Sequence, residues 1–166
     1  MDVHLILYYD GFFDPTLETQ IKATLPLTGA ASRAFSLRLS FPDELFFLKN
    51  QGEAGITFDA TLFPRNQKNL VRTSNVLKLT GRPATVANLT LRLTSAVLGG
   101  ELILTTDANG EVPDAALAPL ATQPLPDTWT IGITAADNPA LVQNGVLNLS
   151  GLDDLLIFSE YNFTYR

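Results

Sequence analysis

Few residues in this chain have the type and spacing to do chemistry. The single histidine, His4, lies inside an apolar run. A Ser-His-Asp hydrolase would need it beside a nucleophile and an acid, and no nucleophile elbow accompanies it. His4 therefore reads as a structural residue. The chain has no cysteine, which excludes disulfides, thiolate metal sites and cysteine nucleophiles. Two carboxylate pairs occur, Asp43-Glu44 and Asp153-Asp154. Neighbouring residues on a strand point to opposite faces, so the second pair would not converge on one substrate, and both read as caps at element starts. Asp107-Ala-Asn109-Gly110-Glu111 has the flavour of a calcium loop, yet it lacks the further acidic ligand and the distant glutamate of an EF-hand. A plain Asn-Gly turn is the expectation there. The sequence holds no Gly-rich phosphate loop, and no cofactor or metal is expected.

Composition narrows the partners. A net charge of −6 argues against nucleic acid. The charges are unevenly spread. Ala60 to Gly100 carries six bases (Arg65, Lys68, Arg72, Lys78, Arg82, Arg92) and no acid, whereas Glu101 to Glu160 carries nine acids and no base. Such blocks either face a partner or are mixed in space once strands pair. The partner-facing reading takes Arg65, Arg72 and Arg92 from the basic block, and Asp107, Asn109, Glu111 and Asp114 from the turn and loop that follow. The N-terminus lacks a basic n-region and its apolar run is short, so neither a signal peptide nor a transmembrane span is expected. That leaves a cytoplasmic protein, one exported by an unconventional route, or a piece of something longer.

The elements that must position these residues are strands. The last stretch, Gly151 to Arg166, runs from a fully apolar segment (Leu155 to Phe158) into alternation, with Tyr161, Phe163 and Tyr165 on one side. This pattern predicts a long central strand against which the others are registered. Val3 to Tyr9 predicts a first strand. Leu17, Ile21 and Leu25 have helical spacing in a short segment that reads as one helical turn or an irregular strand, and Thr28 to Ser32 reads as a flexible connection. Arg33 to Phe41 alternates most cleanly, with Phe35, Leu37, Leu39 and Phe41 expected inward. A short helix capped by Asp43 should span Glu44 to Lys49. Further strands are expected around Ile56 and Phe58, Leu70 to Thr80, Val86 to Thr94, Glu101 to Thr106, Thr128 to Thr134 and Val146 to Leu149. A helical turn is expected from Asp137 through Val142. Val112 to Asp127, with four prolines, forbids a continuous helix or a central strand and reads as the longest loop, where binding tends to sit. Turns recur about every ten residues without βαβ alternation. The expectation is one domain over residues 1–166, all-β: an antiparallel β-sandwich of about eight to ten short strands with one or two short helical turns.

One family resembles these segments in order. The run from Arg33 to Gly52 resembles the start of the C-terminal TcB-binding domain of Tc (toxin complex) A components: a strand, a leucine-rich turn, then a glycine before a phenylalanine-containing strand. Ile56-Thr-Phe-Asp-Ala-Thr-Leu-Phe-Pro-Arg65 looks like its Phe-x-(Leu/Ile)-Pro-x-x-Leu-Phe segment. Leu70 to Gly81 resembles its Arg-Ile-Lys-x-Val-x-Leu-Thr-Leu-Pro-Gly strand. Thr128-Trp-Thr-Ile131 and Leu152 to Tyr161 resemble the closing Trp-x-Leu and Ile-x-Asp-Val-Ile-Leu-x-(Leu/Ile)-x-Tyr patterns. The likeness covers residues 33–166 and leaves 1–32 as an N-terminal extension. It implies a β-sandwich without enzymatic activity that docks a protein partner, or assembles with copies of itself into a ring, as in that bacterial virulence family. The alternative class is a carbohydrate-binding sandwich using exposed aromatics as a sugar platform, although Tyr161, Phe163 and Tyr165 read first as core.

Overall fold

The computed structural model describes residues 15–24 and 26–165. Nine strands run through them: β1 (Thr28–Ser36), β2 (Glu53–Phe58), β3 (Gln67–Gly81), β4 (Thr90–Ser95), β5 (Gly100–Thr105), β6 (Asp127–Gly132), β7 (Val142–Gln143), β8 (Val146–Leu147) and β9 (Leu152–Tyr165). They form a three-stranded sheet ordered β1-β9-β3, a four-stranded sheet ordered β2-β6-β4-β5, and the small β7-β8 hairpin. All pairings are antiparallel. The fold is an antiparallel β-sandwich with a few short helices, as the sequence predicts.

β9 is the central strand of its sheet. Its apolar start and later alternation follow from that place: one row sets Phe35, Ile157 and Leu77 side by side on the inner face, and the next sets Ala34, Phe158 and Val76 on the outer face. Leu155, Ile157, Ser159, Tyr161 and Phe163 point into the core. Opposite them lie Ile56 and Phe58 of β2, Leu91 and Leu93 of β4, and Trp129 and Ile131 of β6, all buried. Aromatic edges knit the two layers, with Phe35 and Phe58 at 5.2 Å and Phe63 and Tyr161 at 5.6 Å between centroids, a preferred arrangement for such rings.

Local chemistry overrides the sequence pattern in several places. The stretch 28–32, expected as a flexible connection, is the first half of β1. Its small residues carry no apolar period, and pairing with β9 imposes the strand. Gly29 lies beneath Phe163, whose ring would be 2.6 Å from an added Cβ. The strand expected over Arg33 to Phe41 stops at Ser36, and Leu37–Ser40 forms a helical turn. Ser36 Oγ accepts from the Leu39 amide at 3.2 Å, capping that turn. Asp154 of β9 accepts the Ser36 hydroxyl and, at 2.9 Å, the Arg38 amide. Leu39, expected inward, is consequently 82% exposed.

The next helix runs over Pro42–Gln51, and Phe41 rather than Asp43 occupies its N-cap. Asp43 lies in the first turn, where a negative charge complements the helix dipole. Leu17 and Ile21 do lie on a helix, Pro15–Thr24. Val86 closes a helical turn, Pro83–Val86, so β4 begins only at Thr90. The proline-rich segment is not an open loop. Its two short helical turns, Asp114–Leu117 and Ala118–Leu120, bury Leu117 and Leu120. The expected strand at Val3 to Tyr9, and His4 within it, lie outside the described residues.

Candidate interaction surfaces

The densest polar constellation is inside the sandwich. β3 bulges between Arg72 and Ser74, and Arg72 crosses towards the other sheet. Its Nη1 donates to the Pro124 carbonyl at 2.6 Å and to Asp127 Oδ2 at 3.3 Å, and its Nη2 donates to the Leu125 carbonyl at 3.0 Å. The guanidinium lies over the Trp129 ring, 5.1 Å from its centroid, a favourable cation–π placement. Asp127 Oδ2 also accepts from Ser95 Oγ at 2.6 Å and Trp129 Nε1 at 2.7 Å. Its Oδ1 accepts the Thr128 amide at 2.8 Å. Burial lowers the Arg72 pKa from its ordinary value and the Asp127 carboxylate opposes that shift. Both side chains are sealed from solvent.

Arg72 therefore leaves the set of partner-facing residues. A fully buried guanidinium with its acid beside it is a link between the two sheets. Trp129, at the same hub, packs on Phe58 of β2 at 5.0 Å. Tyr161 and Phe163 are buried too, which removes them from a sugar platform.

The remaining predicted residues divide between paired charges and turns. Arg92 on β4 holds Asp137 with two bonds, Nε at 2.7 Å and Nη2 at 3.0 Å, while Nη1 reaches Glu101 at 2.9 Å. Lys78 lies 3.5 Å from Glu111. Bases of the first block thus meet acids of the second across the folded strands, so the linear blocks are partly mixed in space. Asp107 folds its own turn, its Oδ1 accepting the amides of Asn109 and Glu111 at 2.8 Å each. Those bonds, that to Glu111 foremost, hold its pKa below the ordinary value. Gly110 has φ +79° and an added Cβ would lie 2.3 Å from the Leu79 carbonyl, so the turn needs glycine there. Among the described residues no group of three His, Cys, Asp or Glu side chains could hold a metal. Asp114 is exposed at the start of its helical turn, and Arg65 is exposed beside β3.

The Arg92 cluster gives a pH test. The Arg92 bonds first, and the Thr134 hydroxyl second, hold Asp137 down to about 2. A depressed carboxylate pKa contributes stability above the unfolded value of about 4, and that stability is lost as pH falls through the folded value. Asp137→Asn should therefore lower the melting temperature at pH 6 and converge with the wild type by about pH 2. A gap that stays constant from pH 6 to pH 2 would show that the ionised carboxylate contributes nothing.

Sequence reasoning missed the most exposed feature. On the outer face of the β1-β9-β3 sheet, Ala34, Val76, Leu156 and Phe158 form a shallow trough of about 480 Å³, bordered by Leu39. The turn carrying Leu39 is pinned through Ser36 and Asp154, so the leucine is presented in a fixed position. The two-faced apolar character of Leu155 to Phe158 was the available signal. It marks a strand whose outer face also wants cover.

No protein-family model matches the sequence, and no curated protein matches it. Solved structures do. The chain is similar to part of the Yersinia pseudotuberculosis TcaA-TcaB structure, with 11% identity, a TM-score of 0.50 and 89% of this chain covered. It spans only 10% of that chain's length. A second similar structure is the virus-like particle of the Macrobrachium rosenbergii extra small virus, with 11% identity and a TM-score of 0.40, covering 100% of this chain and 94% of that one. The first likeness shows that this fold also occurs within that much larger chain.

Proposed function

We propose that this sandwich is a non-enzymatic docking and assembly module related to the TcB-binding domain of Tc-toxin A components, in use either within a ring of copies or against a larger protein partner. The observation that carries this reading is the apolar outer face of the β1-β9-β3 sheet with Leu39 held above it. A rigid, exposed apolar anchor loses little conformational entropy on binding, and contiguous exposed apolar surface marks interaction sites. The fold shared with part of the Yersinia chain supports the relationship. The buried charge pair, Arg72 with Asp127, is closed to any substrate, which supports a role in holding the fold rather than in catalysis.

Light scattering of the purified chain tests the proposal, alone and mixed with a Tc-toxin B component. A mass well above the 18.0 kDa of one chain is expected in at least one case. Leu39→Asp should remove that association while leaving the melting temperature unchanged, since the side chain is exposed. Monomer in both experiments overturns the proposal.

A further inference from the structure

We propose that a second surface, the basic groove beside the N-terminal half of β3, is a binding site for an extended acidic segment of a partner protein. This rests on the docking reading above and adds a partner chemistry to it. The groove holds about 820 Å³, within the roughly 300–1,000 Å³ typical of ligand sites. Pro124 and Pro126 line one side, Val71 lies between, and Arg65 and Lys68 bring two cations into it.

The walls are fixed before any ligand arrives. Arg72 grips the Pro124 and Leu125 carbonyls from behind. The Leu125 amide donates to the Leu70 carbonyl, and the Arg72 amide to that of Gln123, both at 2.9 Å. On the opposite side the turn over Ala60–Leu62 is capped by Asp59, whose carboxylate accepts the Thr61 amide at 2.7 Å and the Thr61 hydroxyl. Phe63 anchors that turn in the core. A β-bulge between Lys68 and Val71, with Asn69 at φ +49°, re-aims the strand at the groove.

Charge selects the occupant. Arg65 and Lys68 enter none of the ion pairs among the described residues, and no acid lines the groove. Asp59, the nearest acid in sequence, is committed to its cap. Unpaired cations flanking proline and valine surface match a strand that alternates carboxylates with apolar side chains. Two cations are few for a nucleic-acid backbone, whose binding rests on many phosphate contacts, and suit a short acidic segment.

The test is an NMR-detected titration of the isotopically labelled chain with an acetylated, amidated hexapeptide alternating glutamate and leucine. The matching lysine–leucine peptide is the control. Amide shifts are expected at Thr61, Lys68, Asn69, Leu70 and Val71 with the acidic peptide only. Arg65→Glu with Lys68→Glu should weaken binding at least about tenfold, as loss of charge-assisted bonds implies, without lowering the melting temperature. Binding should also fade at about 1 M salt, where the screening length is about 3 Å. Shifts centred elsewhere, binding that survives the double substitution, or tighter groove binding by heparin than by the peptide would each overturn the proposal. Light scattering keeps the two readings apart. A chain that associates yet ignores the peptide refutes the groove alone. One that takes the peptide but stays monomeric beside the B component refutes the docking module alone.

Discussion

Asp127→Ala is expected to destabilise the fold by about 3–5 kcal/mol, a loss comparable to the whole stability of a marginal domain. Among the described residues the carboxylate is the one acid paired with the buried Arg72, and its two oxygens also satisfy Ser95, Trp129 and the Thr128 amide. Removing it leaves a guanidinium uncompensated in the core and several donors without an acceptor, and each such group costs its full desolvation. Arg72→Met added to Asp127→Ala should recover part of the loss, because an apolar replacement no longer carries a buried charge. Recovery will be incomplete, since the Pro124 and Leu125 carbonyls lose their donor in the same step. Guanidinium titration followed by circular dichroism measures both variants. A loss under about 1 kcal/mol for Asp127→Ala would mean that the ion pair is not sealed from water.

The same hub shows where sequence reading stops. Leu77 and Leu79, Leu89 to Leu93, and Trp129 to Ile133 were legible because alternation along a strand is a local property, and a sandwich has one buried face per sheet. The burial of Arg72 was not legible, because the residue that permits it lies 55 positions away. Next to Lys68, Lys78 and Arg82, Arg72 looked like one more surface base. The break in the Arg33 to Phe41 strand has a similar cause, since the acid that pins the turn is 118 residues from Ser36. Period-two hydrophobicity could not reveal that Leu39 faces out, and the most exposed large apolar side chain among the described residues was therefore assigned to the core.

The proline-rich segment was misjudged in the opposite sense. Its prolines exclude a continuous helix or a central strand, which was visible, but its buried leucines were not weighed. Leu117, Leu120 and Leu125 fasten it to the sandwich. Pro124 and Pro126 are thereby left on the surface as a rigid wall. Sites that bind strongly are often stiff ones, because less freedom is lost on association. Arg72 thus joins the two levels of the molecule: it ties β3 to Asp127 inside the core and holds the outer wall of the basic groove from behind.

Trp129→Ala should cost about 3–5 kcal/mol as a large-to-small change in a packed core. The indole is almost wholly buried between Phe58 and the Arg72 guanidinium, so its loss opens a cavity where both layers meet. Two further variants separate packing from polarity. Trp129→Phe keeps an aromatic ring beside Phe58 but loses the Nε1 bond to Asp127 and part of the indole's volume, so about 1–3 kcal/mol is expected, less than for alanine. Trp129→Ala combined with Arg72→Met should cost less than the sum of the two single changes, because the ring–guanidinium contact can be lost only once. Trp129 is the sole tryptophan, so its fluorescence reports wild-type unfolding and circular dichroism must follow the variants. If Trp129→Ala left the denaturation midpoint unchanged, β6 could not lie across the core from β3. Additive costs in the double variant would instead leave β6 in place and show that Arg72 is held by its carbonyl and carboxylate partners, with no contribution from the ring.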